Sequence, residues 1–118
     1  MVNNVAAESL EVDALSHDLA AHQNIGEKLV DLTGFMNPDL TVIDAYRILV
    51  RNGPSGGSLE DVEMVKKIIV AVDPTLADIV ACGIAGVEPS SVPYVQSAIR
   101  RNFGITDPAK ADILKITV

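Results

Sequence analysis

Two nearly unbroken apolar runs, TVIDAYRILV (41–50) and KKIIVAV (66–72), organise the middle of the chain. Both are rich in β-branched residues and apolar at alternating positions of either parity, a pattern that predicts buried strands. Upstream, Leu10, Ala14, Leu15, Leu19 and Ala20 recur at the spacing of one helix face. Asn24 followed by Glu27 resembles a capping box. A second helical stretch carrying Ile25, Leu29, Val30 and Leu32 is therefore expected to begin there and stop at Gly34, either separate from the first or continuous with it through a kink. Asn37, Pro38 and Asp39 form a turn signal before the first strand.

The stretch NGPSGG (52–57) interrupts the strands, and SLEDVEM then offers an N-cap serine and an acidic first turn for one short helix. Asp73 and Pro74 end the second run as an N-cap aspartate and an N1 proline, predicting a helix to about Gly86 whose Ala77, Ala81 and Ala85 form a smooth ridge. Ser90 or Ser91 is expected to cap a further helix with Tyr94, Val95, Ala98, Ile99 and Phe103 on its apolar face and Gly104 at its end. ADILKITV (111–118) reads as a last strand. Strand, two helices and strand favour a right-handed crossover with the second and third strands parallel, while the glycine loop suits an antiparallel first pair. The expectation is one α/β or α+β domain, a small mixed three-stranded sheet packed against three to four helices. Residues 1–21 read as a helical extension and 22–118 as the compact body.

At 118 residues and 48% hydrophobic, the chain suffices for one core. With Phe35, Tyr46, Tyr94 and Phe103 as its aromatics and no Trp, packing falls to aliphatic and alanine side chains. A net charge of −7 argues against nucleic acid as a partner, because that affinity comes from Lys and Arg neutralising phosphates. No apolar run approaches the ~20 residues that span a bilayer, and MVNNVAAESLEVD lacks the order of a secretory signal, so no membrane association and a cytoplasmic location are expected.

Carboxylates within or beside apolar stretches are the candidate chemistry, since an unpartnered charge there is costly. Asp44 shares a strand face with Val42, Tyr46 and Ile48, and is either a ligand for a cation or substrate or a group satisfied by backbone N–H or Arg47. Asp73 has a capping role in any case. Asp78 lies one turn later in an otherwise apolar helix, on a solvated face or in a site. Together Asp44, Asp73 and Asp78 would make a hard oxygen site for magnesium or calcium. Asn52, Gly53 and Pro54 open a loop able to present backbone N–H groups to an anion, although a plain connection explains it too. His17 and His22, five apart, diverge by about 140° on a helix and do not form a metal pair. Cys82 reads as a buried structural thiol, and one cysteine neither closes an internal disulfide nor holds an iron–sulfur cluster.

The segments PDLTVIDAYRILVRNGPSGG, VAVDPTLADIVACGIAG and VPYVQSAIRRNFG resemble the C-terminal part of domain-of-unknown-function family 362 over about residues 22–118. The resemblance implies that Asp44, Asn52, Gly53, Pro54, Asp73 and Asp78 are recurrent family residues. It also implies an iron–sulfur association, through ferredoxin-type modules, in longer relatives and not in this chain, which has no CxxCxxC motif and lacks the family's usual N-terminal half. Three functions follow as expectations. The first is a ligand-binding or docking module without complete catalysis, working with a separate iron–sulfur domain. The second is a divalent-cation enzyme or binding protein using the aspartates, and the third is a homo-oligomerisation module.

Overall fold

The computed structural model describes residues 24–54 and 57–117. Helix α1 (Ile25–Met36) leads to strands β1 (Thr41–Leu49) and β2 (Val62–Ala71), followed by helices α2 (Pro74–Ala85) and α3 (Pro93–Arg100). Short 3-10 turns occupy Leu59–Asp61, Pro89–Ser91 and Pro108–Lys110. The helix face expected at Leu10–Ala20, with His17 and His22, lies outside the described residues.

The sheet corrects the sequence expectation. β1 and β2 pair antiparallel, and among the described residues they form a two-stranded sheet in a mixed α+β arrangement, with no third strand and no parallel pair. Residues 111–117 have the composition of a strand but no ladder partner, and a strand exists only where another edge meets it. Pairs run from Thr41 opposite Ala71 to Leu49 opposite Val62, broken where Val65 and Lys66 together face Tyr46. This bulge places Lys66 at φ 56°.

The strands are not buried on both faces, as their composition suggested. Helix α2 packs against one face of the hairpin, where Ala45 is buried and Ile43, Ile69 and Ala71 are partly covered. The opposite face leaves Val42 60%, Ile68 68% and Val70 61% exposed. Apolar composition on both faces marks two packing surfaces, and the described residues fill one.

Helix α2 opens as expected, with Asp73 capping and Pro74 at its first turn, and closes at Gly86. Its buried residues are Thr75, Ala77, Ile79 and Cys82, and not an alanine ridge, because it meets the sheet on one side and α3 on another. Ile79, Cys82 and Val95 form the buried cluster, flanked by Val92 and Tyr94.

Three helix ends also differ. Asn24 makes no side-chain cap, and Glu27 is turned instead toward Arg100 and Arg101. Helix α1 passes Gly34 and stops at Asn37, whose N–H reaches the Thr33 carbonyl at 2.8 Å just before Pro38. Ser90 and Ser91 lie in a separate 3-10 turn, and α3 starts at Pro93 without a side-chain cap.

Helix α1 lies against α3. A Cβ at Gly26 would come within 2.5 Å of the Pro93 carbonyl oxygen, so a glycine is what permits that approach. Ion pairs from Glu27 to Arg100 and Arg101, and from Asp31 to Arg101, fasten the same junction.

Candidate functional site

The three suspect aspartates occupy different settings. Asp44 stands on the uncovered sheet face, exposed, and its Oδ1 accepts the Tyr46 N–H at 2.8 Å where the bulge interrupts the ladder. Asp73 caps α2 with Oδ1, accepting the Leu76 N–H at 2.8 Å, and with Oδ2 accepts the Ile105 N–H at 2.9 Å. Both are engaged by backbone. Among the described residues no three His, Cys, Asp or Glu side chains are grouped as metal ligands would be, so the structure does not bring Asp44, Asp73 and Asp78 together.

The Asn52–Gly53–Pro54 turn is built around Asp61, one of the acidic residues in the first turn after Ser58. Asp61 is buried, and its carboxylate accepts the Ser58 N–H at 2.9 Å, the Asn52 Nδ2 amide at 3.1 Å and the Arg51 Nε at 3.2 Å. Ser58 and Asp61 complete a reciprocal capping box. These hydrogen bonds, the Ser58 backbone first and Asn52 next, hold Asp61 below its usual carboxylate range. Asn52 is thus a structural donor to Asp61, and the S-x-x-D spacing at 58–61 is the signal that identifies the arrangement.

Asp78 differs from the other two. It lies in a cleft of about 40 Å³ between the three helices, room for a few waters, beside Leu29 and Thr33 of α1, Thr75 of α2, Tyr94 of α3, and Phe103. Neither a hydrogen bond nor an ion pair engages its carboxylate among the described residues, and burial pushes its pKa up. Burial, and then the Asp78 charge, raise the Tyr94 hydroxyl; Cys82 is raised by burial and by Asp78 as well. The phenol and the thiol therefore stay protonated at neutral pH. Such a cleft offers one anionic acceptor, a phenolic donor and apolar walls, which suits binding a cation or an N–H donor more than activating a nucleophile.

The described residues form a small α+β unit with a helix-lined cleft. The family model described as "Domain of unknown function (DUF362)" matches residues 7–83, the greater part of the chain, and the chain belongs to this family. The match begins before the 22–118 region over which the motifs carry the resemblance and ends inside α2. It includes Asp44, Asn52, Gly53, Pro54, Asp73 and Asp78, while Tyr94 and Phe103 come from beyond it. Neither the curated proteins nor the solved structures gave a match. Among the described residues no helix is long and apolar enough to cross a membrane.

Proposed function

We propose that the chain is a noncatalytic ligand-binding module whose site is the Asp78 cleft and whose ligand presents a small cationic or N–H-donating group. The observation that carries this reading is the half-buried Asp78 carboxylate, without a partner among the described residues, facing a cleft walled by Leu29, Tyr94 and Phe103. A carboxylate partly removed from water gains when a complementary charge enters beside it, and an aromatic wall favours the same occupant. In this reading a separate iron–sulfur domain is the functional partner in the cytoplasm, since one cysteine supplies one of the four thiolates a cluster takes.

Ethylammonium is a suitable probe. Titrated into the whole chain and followed by NMR, it should shift the Tyr94, Thr75 and Phe103 signals saturably, and Asp78→Asn should abolish the effect. Shifts that are absent, or the same in the variant, refute the site.

Self-association is a second reading, favoured by the bare sheet face of Val42, Tyr46, Ile68 and Val70. That surface carries Asp44 and lies beside Lys66, so two copies about a two-fold axis would pair opposite charges around an apolar centre. Light scattering at micromolar concentration should then give a dimer, and Ile68→Lys a monomer.

A further inference from the structure

Residues 111–117, ADILKIT, lie outside every helix and, among the described residues, outside any ladder, with Leu114 81% and Ile116 77% exposed. The hairpin has an edge of matching kind. Among the described residues β1 is paired on one side, with β2. The Val50 N–H reaches the Asp61 carbonyl at 2.9 Å, which turns the even-numbered amides of β1 toward β2 and leaves Ile43, Ala45 and Arg47 presenting N–H and C=O outward.

Charge sets the direction and register of a strand on that edge. Asp44 and Arg47 stand three positions apart on β1, acid before base, and Asp112 and Lys115 repeat that order and spacing. An antiparallel alignment with Asp112 opposite Arg47 puts Lys115 opposite Asp44, Ile113 opposite Tyr46, and Leu114 opposite the buried Ala45. The parallel alignment of the same positions sets acid on acid and base on base, which is unfavourable for directly opposed residues. Among the described residues none of these four charged side chains forms an ion pair. In the antiparallel register Leu114 joins Ala45 on the face that α2 packs against. The outer edge of β2 carries Glu63 and Lys66 at the same spacing, but its bulge and the left-handed Lys66, at φ 56°, break that edge where Asp112 and Ile113 would pair.

A chain cannot serve its own edge in this register. The Ile105 N–H is held by Asp73 Oδ2 at 2.9 Å, just past Ala71, the partner of Thr41. From there Ala111 would have to reach Ile48, about 24 Å along β1 from Thr41. The stretch from Ile105 to Ala111 includes the 3-10 turn Pro108–Lys110 and spans at most about 18 Å.

We infer that residues 111–117 of one copy add antiparallel to the outer edge of β1 in a second copy, with Asp112 against Arg47 and Lys115 against Asp44, and that reciprocal addition about a two-fold axis makes a dimer. This contact uses a strand edge. It is independent of the Asp78 cleft and of pairing through the bare face of Val42, Ile68 and Val70.

Two measurements on the whole chain test it. Tyr46→Cys chains mixed with Ile113→Cys chains and mildly oxidised should give a mixed disulfide dimer by mass spectrometry, because residues opposed across an antiparallel pair fall within disulfide reach. Val65→Cys, on β2, should not link to Ile113→Cys. Lys115→Asp lies on the exposed segment, outside the core, and should weaken dimerisation about tenfold by analytical ultracentrifugation, since it opposes like charges twice per dimer. Adding Asp44→Lys to the same chain should restore the affinity. Face-to-face pairing would be blind to Lys115→Asp. A monomer at high micromolar concentration, an unchanged affinity in Lys115→Asp, a link to Val65→Cys in place of Tyr46→Cys, or a disulfide closed within one chain carrying both Tyr46→Cys and Ile113→Cys would each overturn the proposal.

Discussion

Asp73 Oδ2 accepts the Ile105 amide at 2.9 Å, joining the start of α2 to a segment 32 positions further along the chain. Its other oxygen caps the helix at Leu76. Gly104 makes the approach feasible: a Cβ there would sit 2.8 Å from both carboxylate oxygens, and its φ is 72°. Asp73→Ala should therefore cost about 2 kcal/mol, a cap plus a charge-assisted hydrogen bond. Asp73→Asn, which keeps one acceptor, should cost about half of that. Urea unfolding reads both. A loss under about 0.5 kcal/mol for the alanine variant would contradict the two-bond role.

Two helical glycines give opposite expectations for one substitution. Gly26→Ala drives a methyl into the Pro93 backbone and should destabilise by about 2 kcal/mol despite alanine's better helix propensity. At Gly83 a Cβ meets nothing within 4 Å among the described residues, so Gly83→Ala should stabilise by about 0.5–1 kcal/mol. Thermal unfolding of the two variants side by side would test the α1–α3 contact directly.

Asp78 and Asp61 set opposite pH dependences. Asp78 has a folded-state pKa above the ordinary 3.8, so its ionisation disfavours the fold; that cost is complete above the raised value and disappears as pH falls toward 3.8. Asp61, held below 3.8, contributes stability above 3.8 that is lost as pH falls through its lowered value. Chemical denaturation against pH should show stability rising slightly from neutrality toward pH 4 and falling below it. Asp78→Asn should flatten the upper limb and add on the order of 0.5 kcal/mol at pH 7, while Asp61→Asn should remove much of the acid limb. An unaltered profile in Asp78→Asn would show that the cleft leaves the carboxylate fully solvated.

Ser97 is buried in α3, and among the described residues its hydroxyl has no hydrogen-bond partner. Ser97→Ala removes an unsatisfied polar atom with almost no change of shape, so a gain of about 1 kcal/mol is expected from equilibrium unfolding. A loss of stability would mean that the hydroxyl has a bound water.

What the sequence displayed was mostly local. Asp73–Pro74 and Gly86 marked both ends of α2, and two apolar runs about a glycine loop marked the antiparallel hairpin. The spurious third strand came from the same source: the β-branched composition of 111–117 is a local property, whereas pairing depends on a distant edge. Asp44 was rightly grouped with Val42 and Tyr46 on one face, yet a strand apolar on both sides does not disclose which side a helix will cover. Asp78 stood out as a charge in an apolar helix. Its neighbours Thr33 and Tyr94 did not, because three separate helices bring them to it. Asp61 was hidden by its acidic neighbours, although its spacing from Ser58 carried the capping pattern.

The Arg101 guanidinium reaches Asp31 at 2.6 Å across 70 positions and Glu27 across 74. These contacts act as a buckle, turning the hairpin and α2 into a loop whose two ends are held side by side. Closure over such a distance forms slowly relative to a local helix or turn, so the hairpin should acquire structure before the buckle fastens. A protease nick at the Asn52–Pro54 turn would then yield two pieces that still travel as one particle, each gripping the other through the α2 packing against β1 and the α1–α3 clasp.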